Sequence, residues 1–154
     1  MPQICMGGGL GFAANASMRI VTEKSKIAMP ENKIGFFPDV RSSYFLNRLK
    51  VPGAGKWMGL TGQTISGMDA VNLGIATHFM DFKDFEVFTK NVESSATDVE
   101  FFSEIEEVVD IFYAKDNIFD IEPFSAEKIN IFRAFDETGI DQNYQKSIFL
   151  PFEK

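Results

Sequence analysis

The run Met6-Gly7-Gly8-Gly9-Leu10-Gly11 constrains this chain more than any other segment. Met1 to Met6 reads as the end of a buried strand. The glycines then open a helix that extends to about Met18, with Leu10, Ala13, Ala14 and Ala16 as its packing residues. Consecutive glycines let a backbone come close to a ligand, and a helix N-terminus offers free N–H groups and the positive end of the dipole. Acyl-transfer chemistry needs such donors for a developing oxyanion. A tight strand-to-helix turn also uses glycines, so the run alone leaves both readings open. It is not the dinucleotide-binding fingerprint, because the second half of that pattern is missing after Gly11.

Downstream, the spacing predicts short strands over Arg19 to Glu23 and Lys26 to Met29, followed by a loop from Pro30 to Val40 built on Pro30, Gly35 and Pro38. Helices are expected over Ser42 to Leu49 and Gly53 to Leu60, with a turn at Thr61-Gly62. A short helix from Gly67 to Leu73 is closed by Gly74, and Ile75 to Met80 reads as a strand. Beyond that point only helical patterns remain. They cover Lys83 to Asn91, a stretch entered through a Thr97/Glu100 capping box and running to Phe112, and Lys128 to Glu137 with Gly139 as its stop. The chain contains no repeats and no low-complexity run.

Composition removes several function classes. Fifteen basic against 22 acidic residues give a net charge of -7. Nucleic-acid binding rests on phosphate neutralisation, so no nucleic-acid partner is expected. The single cysteine, Cys5, allows no internal disulfide and suits a reducing compartment. One His and one Cys cannot build a zinc site of the usual kinds. The apolar stretch from Ile4 to Ala16 is interrupted by Gly7, Gly8, Gly9 and Gly11 and has no basic residue before it. It does not read as a signal peptide and is too short to span a bilayer, so no membrane partner is expected.

Three side chains are candidates for chemistry. Glu31 and Asp39 lie in Pro30-Glu31-Asn32-Lys33-Ile34-Gly35-Phe36-Phe37-Pro38-Asp39, each among apolar and proline residues. A carboxylate so placed is less hydrated than one on an open face, which suits acid–base or nucleophilic work. Two acids in a loop are more often simply solvated. His78 invites a catalytic role, but a lone His in an apolar strand is more often a hydrogen-bonded core residue.

Taken in order, several segments resemble the 3-hydroxyisobutyryl-CoA hydrolases of the crotonase (enoyl-CoA hydratase/isomerase) superfamily. They are Met6 to Gly11, Met29-Pro30-Glu31, Ile34-Gly35, Phe37-Pro38-Asp39-Val40, Tyr44-Phe45-Leu46, Arg48-Leu49, Leu60-Thr61-Gly62 and Gly74-Ile75-Ala76-Thr77-His78-Phe79. The resemblance runs from about Ile4 to Met80, is looser from Asp98 to Ile121, and is not followed after Glu122. It implies an α/β crotonase-type ββα spiral, present in part, over residues 1–80, with a helical C-terminal region over 81–154.

The resemblance also assigns roles. Enoyl-CoA hydratases carry one catalytic Glu two residues after the glycine triplet, where this chain has Gly11, and a second at the position of Glu31. Hydratases tend to have glycine where this chain has Asp39, and dienoyl-CoA isomerases carry Asp at the position of Gly11. The combination Gly11, Glu31, Asp39 is that of the hydrolases. It implies Gly8 and Gly9 as oxyanion and substrate-binding backbone, with the Gly8 N–H as donor. Glu31 attacks the thioester or activates water, and Asp39 handles protons and orients the substrate hydroxyl. The implied substrate is 3-hydroxyisobutyryl-CoA, cleaved to 3-hydroxyisobutyrate and CoA as in valine breakdown. The implied cofactor count is none, since CoA enters as part of the substrate. The alternatives are an enoyl-CoA hydratase/isomerase-type enzyme, as an isomerase using Glu31 alone, and a non-catalytic remnant or interaction protein.

Two departures from the family pattern stand out. Arg41, Ser42 and Ser43 follow Pro38-Asp39-Val40 where the hydrolases usually have glycines, with Ser42 or Ser43 expected to cap a helix. The family also places a set of strands before the glycine triplet, carrying a second oxyanion donor. A truncated, poorly active chain is therefore expected, completed as a homo-oligomer or by an N-terminal fragment. The expected location is cytoplasmic, or the mitochondrial matrix in a eukaryote.

Overall fold

The computed structural model describes residues 1–95 and 124–137. Strand β1 (Ile4–Met6) leads through Gly7 into helix α1 (Gly8–Ala13), followed by β2 (Ile20–Val21) and β3 (Lys26–Ala28). A 3₁₀ turn over Glu31–Ile34 precedes α2 (Ser42–Leu46) and α3 (Ala54–Thr61). Then come β4 (Ile65–Ser66), α4 (Gly67–Leu73), β5 (His78–Phe79), α5 (Phe82–Ser95) and α6 (Ala126–Glu137).

The strands form two small sheets. In the first, ordered β1-β3-β4, β1 runs parallel to β3 with Cys5 opposite Ile27 and Met6 opposite Ala28, while β4 is antiparallel to β3. The second pairs β2 and β5 in parallel. Among the described residues the outer edge of β1 has no partner, and Ile4 on it is 73% exposed.

One core joins these layers. Leu10 of α1, Ile27 of β3, Met58 of α3, Leu73 of α4 and Phe132 of α6 are fully buried together. Phe132 meets Trp57 and Phe124 edge-on, with ring centroids 5.3 and 5.4 Å away. Burying a side chain of this size stabilises by roughly 1.5–3 kcal/mol. Gly53 permits the contact, because a Cβ there would collide with the Phe132 backbone. Lys128 pins the same helix to α4 through a 2.6 Å ion pair with Asp69, which also closes the capping box with Ser66.

Several elements differ from the sequence expectation. Helix α1 stops at Ala13 rather than near Met18. The Asn15 amide donates to the Gly11 carbonyl at 2.6 Å, taking the acceptor that another helical turn would use. Neither Ser42 nor Ser43 caps α2. Arg41 occupies the N-cap in a left-handed conformation, and the buried Ser42 hydroxyl donates instead to the Pro38 carbonyl at 2.6 Å. Strand β4 was not foreseen. The helix expected after Thr97 and the stop at Gly139 lie outside the described residues. No helix among the described residues is long and apolar enough to cross a membrane.

Candidate active site

The parallel pairing of β1 and β3 brings the first pieces together. Gly7 leaves the C-terminal end of β1, and its N–H donates to the Ala28 carbonyl at the end of β3. Met29-Pro30-Glu31 leaves that same end. Glycine turn and carboxylate thus emerge from neighbouring strands, at the strand ends where open parallel sheets usually place ligands. Gly7 adopts φ 54 and ψ -130, a conformation available in practice to glycine alone. A Cβ on Gly7 would stand 2.9 Å from Oε1 of Glu31, so the glycine also makes room for the carboxylate.

Glu31 is 8% exposed and is the one buried charged side chain among the described residues. Its Oε2 is also the one buried side-chain oxygen or nitrogen there without a hydrogen-bond partner. A buried carboxylate oxygen left unpaired costs free energy, and native folds keep few of them. The backbone around it is firmly tied. Lys33 N–H bonds the Pro30 carbonyl at 2.9 Å, Phe36 N–H bonds the Glu31 carbonyl at 3.0 Å, and left-handed Gly35 ends the turn. The Asn32 amide donates to the Leu60 carbonyl at 2.6 Å, fixing the turn to the end of α3.

Helix α1 opens at Gly8, with Gly11 N–H bonded to the Gly7 carbonyl. The N–H groups of Gly8 and Gly9 belong to the first turn and have no intrahelical acceptor. Both residues are exposed, and a Cβ on Gly9 would meet nothing within 4 Å, which leaves space for a ligand to approach.

Asp39 reaches the same helix by another route. Val40, its neighbour, packs so closely on α1 that a Cβ on Gly11 would collide with the Val40 carbonyl oxygen and lie 2.6 Å from its Cβ. The position where a hydratase-type second acid would stand is therefore filled by backbone. Asp39 is half-buried, and its carboxylate has no hydrogen-bond or ion-pair partner among the described residues. Val40 and Arg41 both take positive φ, 46 and 59. Sequence reasoning singled out Glu31, Asp39, Gly8 and Gly9 as candidates. It missed the spatial roles of Gly7 and of the Gly11–Val40 contact, which depend on partners distant in the chain.

His78 and Cys5 lie on other strand positions. His78 sits half-buried in β5 with its Nδ1 2.6 Å from the Thr77 hydroxyl, the hydrogen-bonded strand histidine expected. Cys5 is half-buried on β1, and desolvation pushes its thiol above the ordinary range, partly offset by the N-terminal ammonium. Cavities of about 470 and 250 Å³ lie elsewhere, one between Glu23 and Glu86, the other between Leu46 and Asp136. No group of metal-ligating side chains occurs among the described residues.

The family model for enoyl-CoA hydratase/isomerase matches residues 1–146. The chain belongs to the enoyl-CoA hydratase/isomerase family. Mitochondrial 3-hydroxyisobutyryl-CoA hydrolase of Bos taurus is 38% identical over 125 residues, which is 81% of this chain and 32% of the relative. A small ribosomal subunit protein of Neurospora crassa is 50% identical over 78 residues, 50% of this chain and 15% of the relative. The crystal structure of a carnitinyl-CoA dehydratase from Mycobacterium thermoresistibile superposes with a TM-score of 0.63 at 30% identity, over 96% of this chain and 40% of that one. The chain thus spans a third or less of the length of these curated relatives. The mixed α/β, partial crotonase-type architecture anticipated from the sequence is the one these family members share.

Proposed function

We propose that this enoyl-CoA hydratase/isomerase family member contributes the reacting groups of an acyl-CoA thioester hydrolase acting on 3-hydroxyisobutyryl-CoA. The observation that carries the reading is the buried Glu31 carboxylate, with an unpaired oxygen, beside the glycine turn. Backbone fills the place of a second acid at Gly11. A hydratase works with two glutamates, whereas one carboxylate near a helix start suits attack on a thioester carbonyl. In this scheme Glu31 attacks the carbonyl or deprotonates the attacking water. The Gly8 N–H receives the developing oxyanion, while Gly9 leaves the approach open. Asp39 orients the substrate hydroxyl and handles the proton taken up by the departing CoA thiolate. Water and the substrate supply everything consumed, so no cofactor is required.

The similarity to the bovine hydrolase supports this substrate, and the mitochondrial location of that relative supports the mitochondrial matrix over the cytoplasm. The bare edge of β1 supports completion of the site by further strands, from a second copy or from an N-terminal segment. A second reading, a non-catalytic interaction protein, is favoured by exposed Phe12, Ile34 and Phe37 and by the ribosomal relative.

Incubating the protein with 3-hydroxyisobutyryl-CoA and, separately, with crotonyl-CoA tests these readings. Slow release of free thiol from the first, rising when the strands that complete the β1 edge are supplied, with no hydration of the second, is the expected result. Hydration or double-bond migration would assign it to the hydratase/isomerase side, and inertness towards both with the completing strands supplied would favour the interaction protein.

A further inference from the structure

Arg41 and Arg48 flank α2 and share one aromatic neighbour. Their guanidinium carbons lie 5.1 and 3.7 Å from the centroid of the Tyr44 ring. Arg48 Nη1 also donates to the Tyr44 carbonyl at 2.9 Å, which holds its fork at the end of the helix. All three residues are exposed. Neither guanidinium has a carboxylate partner among the described residues, where the ion pairs are Lys83–Asp81 and Lys128–Asp69. In a chain of net charge -7, two arginines on one ring without an acid partner are an uncompensated group of donors. Each carries five N–H donors in a fixed fork that matches carboxylate and phosphate oxygens. Contact with the ring leaves most of the N–H edge of each fork open.

The backbone supplies a second observation. Arg41 has φ 59, directly after Val40 at φ 46. A left-handed conformation costs a side-chain-bearing residue free energy that glycine avoids, and such strain concentrates where ligands are held. Glycine would satisfy this backbone without penalty, yet the chain places an arginine there, two residues from Asp39.

We propose that Arg41 and Arg48, spaced by Tyr44, form an oxyanion-recognition site on the exposed face of α2. It takes a phosphate or carboxylate group of a ligand. An acyl-CoA would bring phosphates and a dicarboxylic acyl group a carboxylate, but the site needs no thioester cleavage to operate. Its test is therefore separate from that of the hydrolase reading.

The test is an NMR titration of the 154-residue chain at constant ionic strength, following the arginine Nε–H and Tyr44 ring signals. Sodium pyrophosphate and sodium succinate are the two probes, with sodium chloride as the blank. The expected result is a saturable millimolar response confined to Arg41, Tyr44 and Arg48. Saturation by pyrophosphate alone assigns a phosphate source, and by succinate alone a carboxylate source. Arg48→Lys, which keeps the charge and loses the fork, should weaken binding by about tenfold, as for loss of a bidentate charged contact. Arg41→Gly, whose backbone suits the existing φ, should do the same without loss of fold. No saturable response at these residues with either probe would overturn the proposal. So would an affinity unchanged in both variants.

Discussion

Glu31 and Asp39 belong to one loop of the sequence but are held in opposite ways. Glu31 sits at the base of a strand, buried to 8% exposure, in a turn closed by two backbone hydrogen bonds and a left-handed glycine. Asp39 sits among exposed residues, Phe37 and Val40 included, and depends on the strained backbone of Val40 and Arg41 lying on α1. The first carboxylate is positioned by the core. The second is positioned by a loop whose seat on α1 exists because Gly11 lacks a side chain. In a site of this kind the buried group suits attack, which needs fixed geometry and exclusion of water, and the loop group suits a proton that must come and go.

The largest expected effect breaks the Glu31 half. Gly7→Ala places a Cβ 2.9 Å from the Glu31 carboxylate in a conformation closed to L-residues. Backbone strain and overpacking together should cost about 2–4 kcal/mol, read from the urea midpoint at unchanged m-value. A neutral substitution would mean that Gly7 is not what makes room for the carboxylate.

Gly11→Ala addresses the Asp39 half and should cost about 1–3 kcal/mol, because the Val40 backbone stands in the way. Native-state hydrogen exchange gives the sharper reading. The Ser42 amide, bonded to the Asp39 carbonyl, should exchange faster, while the Phe36 amide, bonded to the Glu31 carbonyl, should not change. Equal acceleration of both would show that the two halves form one unit.

The same contrast explains what was legible in the sequence. Helix α4 runs from Gly67 to Leu73 as expected, with Gly74 left-handed at its end, because both ends are set by local chemistry. The Ser66–Asp69 capping box and the glycine cap need no distant partner. Strand β4 is two residues long and exists through its pairing with β3, so nothing local marks it. Glu31 and Asp39 were visible as motif residues, but the depth of Glu31's burial was not. A carboxylate in Pro-Glu-Asn reads as solvated until β1 is laid beside β3. The left-handed Val40 ran against every local signal, since a β-branched residue disfavours that conformation.

A smaller effect of opposite sign follows at Arg41. Arg41→Gly removes about 1–2 kcal/mol of left-handed strain and adds about 0.5–1 kcal/mol of unfolded-state entropy. A net stabilisation of about 0.5 kcal/mol is expected in the same denaturation experiment. Destabilisation instead would show that the guanidinium contact with Tyr44 outweighs the strain.

The smallest effect concerns Cys5, on the strand that leads to the glycine turn. Burial raises its thiol pKa, so the reactive thiolate forms only at higher pH than in a free cysteine. Alkylation near pH 7 should be slower than for a peptide thiol, with the rate rising as pH passes the raised value. A rate equal to the peptide's would mean that β1 is looser than its pairing with β3 implies.

The most direct test compares two variants, Glu31→Gln and Asp39→Asn, in one assay of free thiol release from 3-hydroxyisobutyryl-CoA, each in a full-length context with the strands that complete the β1 edge. An amide at Glu31 can neither attack nor accept a proton, so cleavage should vanish. Asp39→Asn should lower kcat by about 10²–10⁴-fold while leaving acyl-CoA affinity close to that of the parent. Near-normal turnover by Glu31→Gln would contradict the account, because the buried, unpaired carboxylate would then not be the group that does the chemistry.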